Sequence, residues 1–126
     1  LYNRLAYVLW FLEGPLPSIA AHLRELNLAE KCAPNRSLAR ARSTHAIAMS
    51  ALPHWSRSLA FGLSGLQTAR QIGDRWAEGQ AGHFYGAALY GASRFAEAAE
   101  HLESAMQILR QTGDRWEENG VRYHLA

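Results

Sequence analysis

Two stretches decide the reading of this chain: "QIGDRWAEGQ" at Gln71–Gln80 and "QTGDRWEENG" at Gln111–Gly120. A catalytic motif is usually needed once, whereas a building block recurs each time the block is laid down, so Gly-Asp-Arg-Trp spelt twice points to a structural repeat. With the chain aligned to itself at an offset of 40, Leu66–Trp76 lies over Met106–Trp116 with 7 of 11 positions identical, and Glu78 then matches Glu118. One period earlier, Leu26–Arg36 occupies the same place. Its identity is nearly gone, and Ala33, Pro34 and Asn35 form a loop in place of the Gly-Asp turn.

Within one unit the pattern is helix, turn, helix. From Arg75 to Tyr90, Ala77, Ala81, Phe84, Tyr85, Ala88 and Leu89 recur at helical spacing. "GAS" at Gly91–Ser93 interrupts, and a second helix is predicted over Arg94–Thr112, with Phe95, Ala98, Ala99, Leu102, Ala105, Met106 and Leu109 on one side. Gly113 can take the left-handed conformation that ends a helix, and Asp114 can cap the start of the next. The Gly-Asp pair is thus a stop followed by a start. Trp76 and Trp116 open the helices that follow and are expected to pack across the junctions. The same reading predicts earlier helices over Leu1–Glu13, Leu16–Cys32, Ser37–Leu52 and His54–Ile72, and a final one from Arg115.

Length and composition fit one globular domain over residues 1–126, with 48% hydrophobic residues and a formal charge of +2. That charge is too small to argue for a nucleic-acid partner. The single cysteine, Cys32, excludes an internal disulfide and suits a reducing, cytoplasmic compartment. The longest apolar run, Leu5–Leu12, falls far short of the roughly 20 residues of a membrane helix, so no membrane partner is expected. The chain starts and stops without punctuation and is read as a piece of a longer protein. Its cut ends, with Leu5, Val8 and Leu12 at one and Val121 and Leu125 at the other, are expected to expose apolar faces that favour a homodimer.

The unit from Gly82 to Ile108 resembles a tetratricopeptide repeat. That motif has a small residue midway along its first helix, and Ala6, Ala46, Gly86 and Ala126 fall at one phase. Phe95, Ala98 and Ala105 match the second helix of the motif, and Trp55, Ser58 and Gly65 match it one unit earlier. The first unit departs, with Pro15, Ser18 and Glu25 at those places, so its second helix is expected to be shifted or bent. The 40-residue period exceeds the usual 34. Such lengthened repeats with "GDRW" junctions are similar to helical regions of large bacterial signalling proteins, the LuxR/MalT-type transcriptional activators and the ATPase-linked cyclases. The resemblance implies an all-α, antiparallel helix-pair solenoid of three repeats plus one helix, serving as a non-catalytic protein- or peptide-binding module. Self-association is the alternative, and a helical-repeat nucleic-acid binder is disfavoured.

In such repeats the first helix of each pair lines a concave groove. The groove candidates are Asn3, Tyr7, Trp10, Arg40, Ser43, Ile47, Ser50, Gln80, His83, Ala87, Tyr90 and Tyr123, with burial between neighbouring repeats as the competing fate for each. The repeats that grip a C-terminal carboxylate do so with a basic and amide set. Here Asn3, Tyr7, Ile47, Gln80 and Phe84 stand at those places, so that ligand class is not expected.

No cofactor, metal or catalytic residue is expected. Glu97 and His101 sit four apart but make only two ligands where zinc needs three or four. "GLSG" at Gly62–Gly65 is not a nucleophile elbow, and its glycines are read as close helix contacts. Glu97, Glu100, Glu103, Glu117 and Glu118 are read as solvated faces. Arg36, Arg40 and Arg42 are read as a solvated helix start, with a phosphate contact as the alternative.

Overall fold

A computed structural model describes residues 2–126, the side chain of Asn3 excepted, so the expectations placed on Leu1 and on the Asn3 side chain lie outside the described residues. Among these residues the chain is all-α: seven helices and no strand. They are α1 (Tyr2–Leu12), α2 (Pro15–Ala29), α3 (Arg36–Ala51), α4 (Trp55–Gln71), α5 (Arg75–Gly91), α6 (Phe95–Thr112) and α7 (Arg115–Leu125). The predicted boundaries hold closely except at the end of α2, which stops at Ala29. Pro34 disfavours helical geometry at the residue before it, and the chain has already left the helix by then.

Helices start where a side chain can satisfy their free amides. Asn35, Asp74 and Asp114 cap α3, α5 and α7 by accepting from the amides of Leu38, Ala77 and Glu117, each at 3.0 Å. Gly113 closes α6 at φ 77°, a conformation that a side chain would strain.

The capping carboxylates also reach sideways. The second oxygen of Asp74 accepts from Arg36 Nε, and that of Asp114 accepts from Trp76 Nε1 at 2.8 Å. Arg36 and Trp76 are one period apart, and the Arg36 guanidinium lies over the Trp76 ring at 5.3 Å. Each junction is therefore tied to the one before it. Arg70 donates to Glu78 just as Arg110 donates to Glu118, again one period apart. Trp116, the next member of the Arg36–Trp76 series, is 76% exposed, which corrects the expectation that both tryptophans pack across a junction.

Packing within pairs is antiparallel. Along α5, a Cβ built at Gly79, Gly82 or Gly86 would meet Leu109, Ala105 or Leu102, so one helix is traversed forwards as the other is traversed backwards. Gly65 of α4 approaches Ala39 and Ser43 of α3 in the same way, as the "GLSG" reading anticipated. In the first two pairs a serine on the second helix donates to the carbonyl of the small residue on the first: Ser18 to Ala6 at 2.6 Å and Ser58 to Ala46 at 2.8 Å. The first pair is thus in register with the second, which corrects the expected shift of α2. Pro15 occupies the first turn of α2, where its missing N–H leaves nothing unsatisfied.

Pairs stack in sequence order. α2 packs on α3, α4 on α5 and α6 on α7, while α3, α5 and α7 also touch in succession. The main core lies among α4–α7 around Leu66, Leu89, Leu102, Leu109 and Val121, and a smaller one around Leu26, Leu38 and Ala41. Val121 is fully buried, contrary to the expectation that it forms part of an exposed end, because α7 turns it onto α6. Leu5, Val8 and Leu12 are exposed as anticipated.

The crossing at Gly86 generates a test. A Cβ there would stand 2.7 Å from Leu102 Cγ, so Gly86→Leu should destabilise the protein by about 1–3 kcal/mol through overpacking. Urea unfolding reads the difference, and an unchanged midpoint would contradict the crossing.

Candidate functional site

The groove candidates divide into two sets. Ser43 is fully buried, with its hydroxyl donating to the Ala39 carbonyl at 2.9 Å. Gln80 and His83 are buried too, because α7 packs directly on the face of α5 that carries them. Arg40 is half-buried and pairs with Glu25 at 3.3 Å, and Ile47 is half-buried. Ser43, Gln80 and His83 therefore belong to contacts between helices and not to a ligand surface. Tyr7, Trp10, Tyr90 and Tyr123 remain exposed.

The α5–α7 contact is a polar network. Gln80 donates to Glu117 Oε1 at 3.0 Å, and His83 Nδ1 lies 2.9 Å from Glu117 Oε2. His124 Nδ1 lies 3.0 Å from the Gly120 carbonyl, which can only accept, so this nitrogen carries the proton. His83 Nε2, 3.3 Å from the same nitrogen, is then an acceptor, and its Nδ1–H donates to Glu117. Burial and the adjacent His83 hold the His124 pKa below its ordinary value, against the opposing pull of the Gly120 carbonyl. Glu117 and Glu118 are thus not solvated: Glu118 accepts from Arg110 and Arg122 at 2.7 Å each. His124, absent from the sequence-derived candidates, is the residue that joins His83, Tyr90 and Tyr123, with ring centroids 5.3, 6.3 and 5.6 Å away. The signal was its place one residue after Tyr123, which carries it onto the inner side of α7.

Beside this network lies an open cleft of about 170 Å³, walled by Tyr90, Phe95, Ala98, Leu102, His124 and Leu125. Tyr90 and Phe95 meet edge to face at 5.5 Å. The surface is apolar and aromatic with one imidazole at its margin, suited to holding a hydrophobic side chain.

A second network joins α2, α3 and α4. Arg57 Nε, a donor only, lies 3.2 Å from His45 Nε2, so His45 carries its proton on Nδ1 and donates to His22 Nε2 at 3.1 Å. The remaining His22 Nδ1–H is buried without a partner. Burial, reinforced by His45, lowers the His22 pKa to about 4. Burial and the Arg57 charge lower that of His45, with Glu30 opposing. The basic cluster is likewise engaged, since Arg36 binds Asp74, Arg40 binds Glu25 and Arg42 donates to Thr68 at 3.0 Å.

Among the described residues no group of three His, Cys, Asp or Glu is arranged to hold a metal ion, and no helix is long and apolar enough to cross a membrane. No family model and no curated protein matches the chain.

The buried imidazoles make stability pH-dependent with a definite sign. Between about pH 4 and 6.5 the unfolded chain protonates His22 while the folded chain resists, so stability is lost as pH falls through that window and this group contributes no slope above it. Folding free energy should drop by roughly 1 kcal/mol between pH 7 and 5.5 from this residue. Denaturation at a series of pH values should show the slope, and His22→Gln should flatten it; an unaltered slope in the variant would refute the assignment.

Proposed function

We propose that this chain is a tetratricopeptide-like helical-repeat scaffold that binds a protein or peptide through the exposed residues of its first helices. The observation that carries this reading is the pairing of Trp10 and Tyr90: two periods apart, at the same phase of α1 and α5, and both about half exposed at 48% and 51%. The equivalent position in α3 is Ser50, whose hydroxyl bonds within the pair to Ala46 and Ser58. Tyr7 adds a further exposed ring beside Phe11, at 5.2 Å. Aromatic side chains of this kind supply large contact area at low conformational-entropy cost and are enriched among residues that dominate binding.

The antiparallel pairs, the small-residue crossings and the 40-residue period support the solenoid reading. The lengthened period with its "GDRW" junctions supports a place within a larger bacterial signalling or transcription-regulatory protein acting in the cytoplasm, where the exposed Cys32 would stay reduced.

The test separates binding from folding. Peptides selected from a displayed library should bind the protein, and Tyr90→Ala should weaken that binding by about 1–3 kcal/mol while leaving the unfolding midpoint nearly unchanged. Trp76→Ala should do the reverse, since its ring packs at a junction. If Tyr90→Ala unfolds the protein, or Trp76→Ala abolishes binding at unchanged stability, the roles of face and junction are inverted.

A further inference from the structure

The first helix pair is attached to the stack differently from the others. The pair α3–α4 meets the pair α5–α6 along two contacts, α4 on α5 and α3 on α5. The pair α1–α2 meets α3 through α2, and among the described residues α1 packs on α2 and on no other helix to a similar extent. The main core, which runs from Ala39 to Val121, contains none of the described residues of α1 or α2. Apolar contact across α2–α3 comes from the small cluster of Leu26, Ala29, Leu38 and Ala41, with Phe61 against it. Its polar contacts are His22 on His45 at 3.1 Å and Glu25 on Arg40 at 3.3 Å. Among the described residues, the buried side-chain atoms left without a partner are His22 Nδ1, Glu25 Oε2, Arg40 Nε and Thr44 Oγ1, all on these two helices. Opening the interface returns such groups to water, which favours release.

The imidazoles of this interface form a one-way chain. Arg57 Nε only donates, so it holds His45 Nε2 as an acceptor, and His45 Nδ1–H then donates to His22 Nε2. His22 Nδ1 already carries its proton, so Nε2 is the one position where His22 can take up another. A proton there faces the Nδ1–H of His45, donor against donor. His45 cannot reverse its polarity to accept, because an Nε2–H would then face the Arg57 donor. We infer that the α1–α2 pair is held by a proton-operated latch: protonation of His22 breaks its bond to His45 and releases the pair from α3 while α3–α7 stay folded. The surrounding charges agree with this. Arg57 comes from α4, and Arg40 and His45 come from α3. On the acidic side are Glu25, whose charge is met by Arg40, and Glu30, which is exposed just past the end of α2. Arg4 of α1, Glu13 beyond its end and Arg24 of α2 are all exposed. Burial and the neighbouring His45 hold the docked His22 pKa near 4, so docking is strongest above the ordinary value of 6.5 and weakens as pH falls through the window between them. The released pair carries Tyr7 and Trp10, so acid would part Trp10 from Tyr90. The latch does not rest on the binding role proposed for those rings, and each can fail without the other.

Hydrogen exchange read by mass spectrometry at pH 7 and pH 5, corrected for intrinsic exchange rates, tests the latch. Protection of α1 and α2 should lie below that of α5 and α6 at both values. It should fall at least about tenfold between them, because His22 takes up its proton far more readily in the released state. His22→Gln has no imidazole to protonate and should remove most of that fall. Arg57→Ala, at an exposed position, leaves His45 free to reverse its polarity and accept from protonated His22, so the fall should shrink here too. A role for His22 in packing alone would leave the fall in Arg57→Ala unchanged. Equal protection across all helices, no fall in the unaltered protein, or an undiminished fall in either variant would overturn the inference. The Arg57→Ala result decides the matter even if His22→Gln leaves the pair undocked at pH 7.

Discussion

The carboxylate of Asp114 has two oxygens, and the architecture depends on what each one does. One accepts from the Glu117 amide and so fixes where α7 begins; the other accepts from the Trp76 indole and so fixes where that beginning lies relative to α5. Asp74 repeats the arrangement with Ala77 and Arg36. In both cases the lateral partner lies 38 residues upstream, so the spacing is built into the contact and not imposed by loop length. Burial works against ionisation of either aspartate. For Asp74 the Arg36 bond and the Ala77 amide outweigh it, for Asp114 the Glu117 amide and then Trp76 do, and both pKa values sit below the ordinary range. These contributions are present above that range and are lost as pH falls through the depressed values.

Once helix starts are fixed, the crossings follow. The same phase that sets Trp76 at a junction brings Gly86 opposite Leu102 and Ala46 beneath Ser58, where only small residues fit.

The fold was legible because its signals are local. A glycine before an aspartate, and small residues at a constant phase, state where helices stop and how near they come. The candidate site was less so. Gln80 and His83 carry the right phase for a groove, but whether α7 covers them depends on Glu117 and Gly120, residues 34 to 37 positions away that no helical period links to them. Glu117 and Glu118 read alike as solvated acids, yet each is bound, because their partners arrive only when helices pack. His22 and His45 gave no sequence signal at all, since a pair formed between helices 23 residues apart has no motif. Tyr90 and Trp10 were readable as exposed aromatics because small residues flank them on the packed side.

The claim that the capping carboxylate also sets the stacking is tested most directly by a double-mutant cycle between Trp76→Phe and Asp114→Asn. Asparagine keeps an oxygen for the cap but turns a donor toward the indole, and phenylalanine keeps the ring while removing its N–H. Folding free energies of the four proteins should show a coupling of about 1 kcal/mol or more, in the range for a hydrogen bond to a charged group. Effects that simply add, within about 0.3–0.5 kcal/mol, would mean that the cap and the stacking are independent and that the junction does not set the repeat.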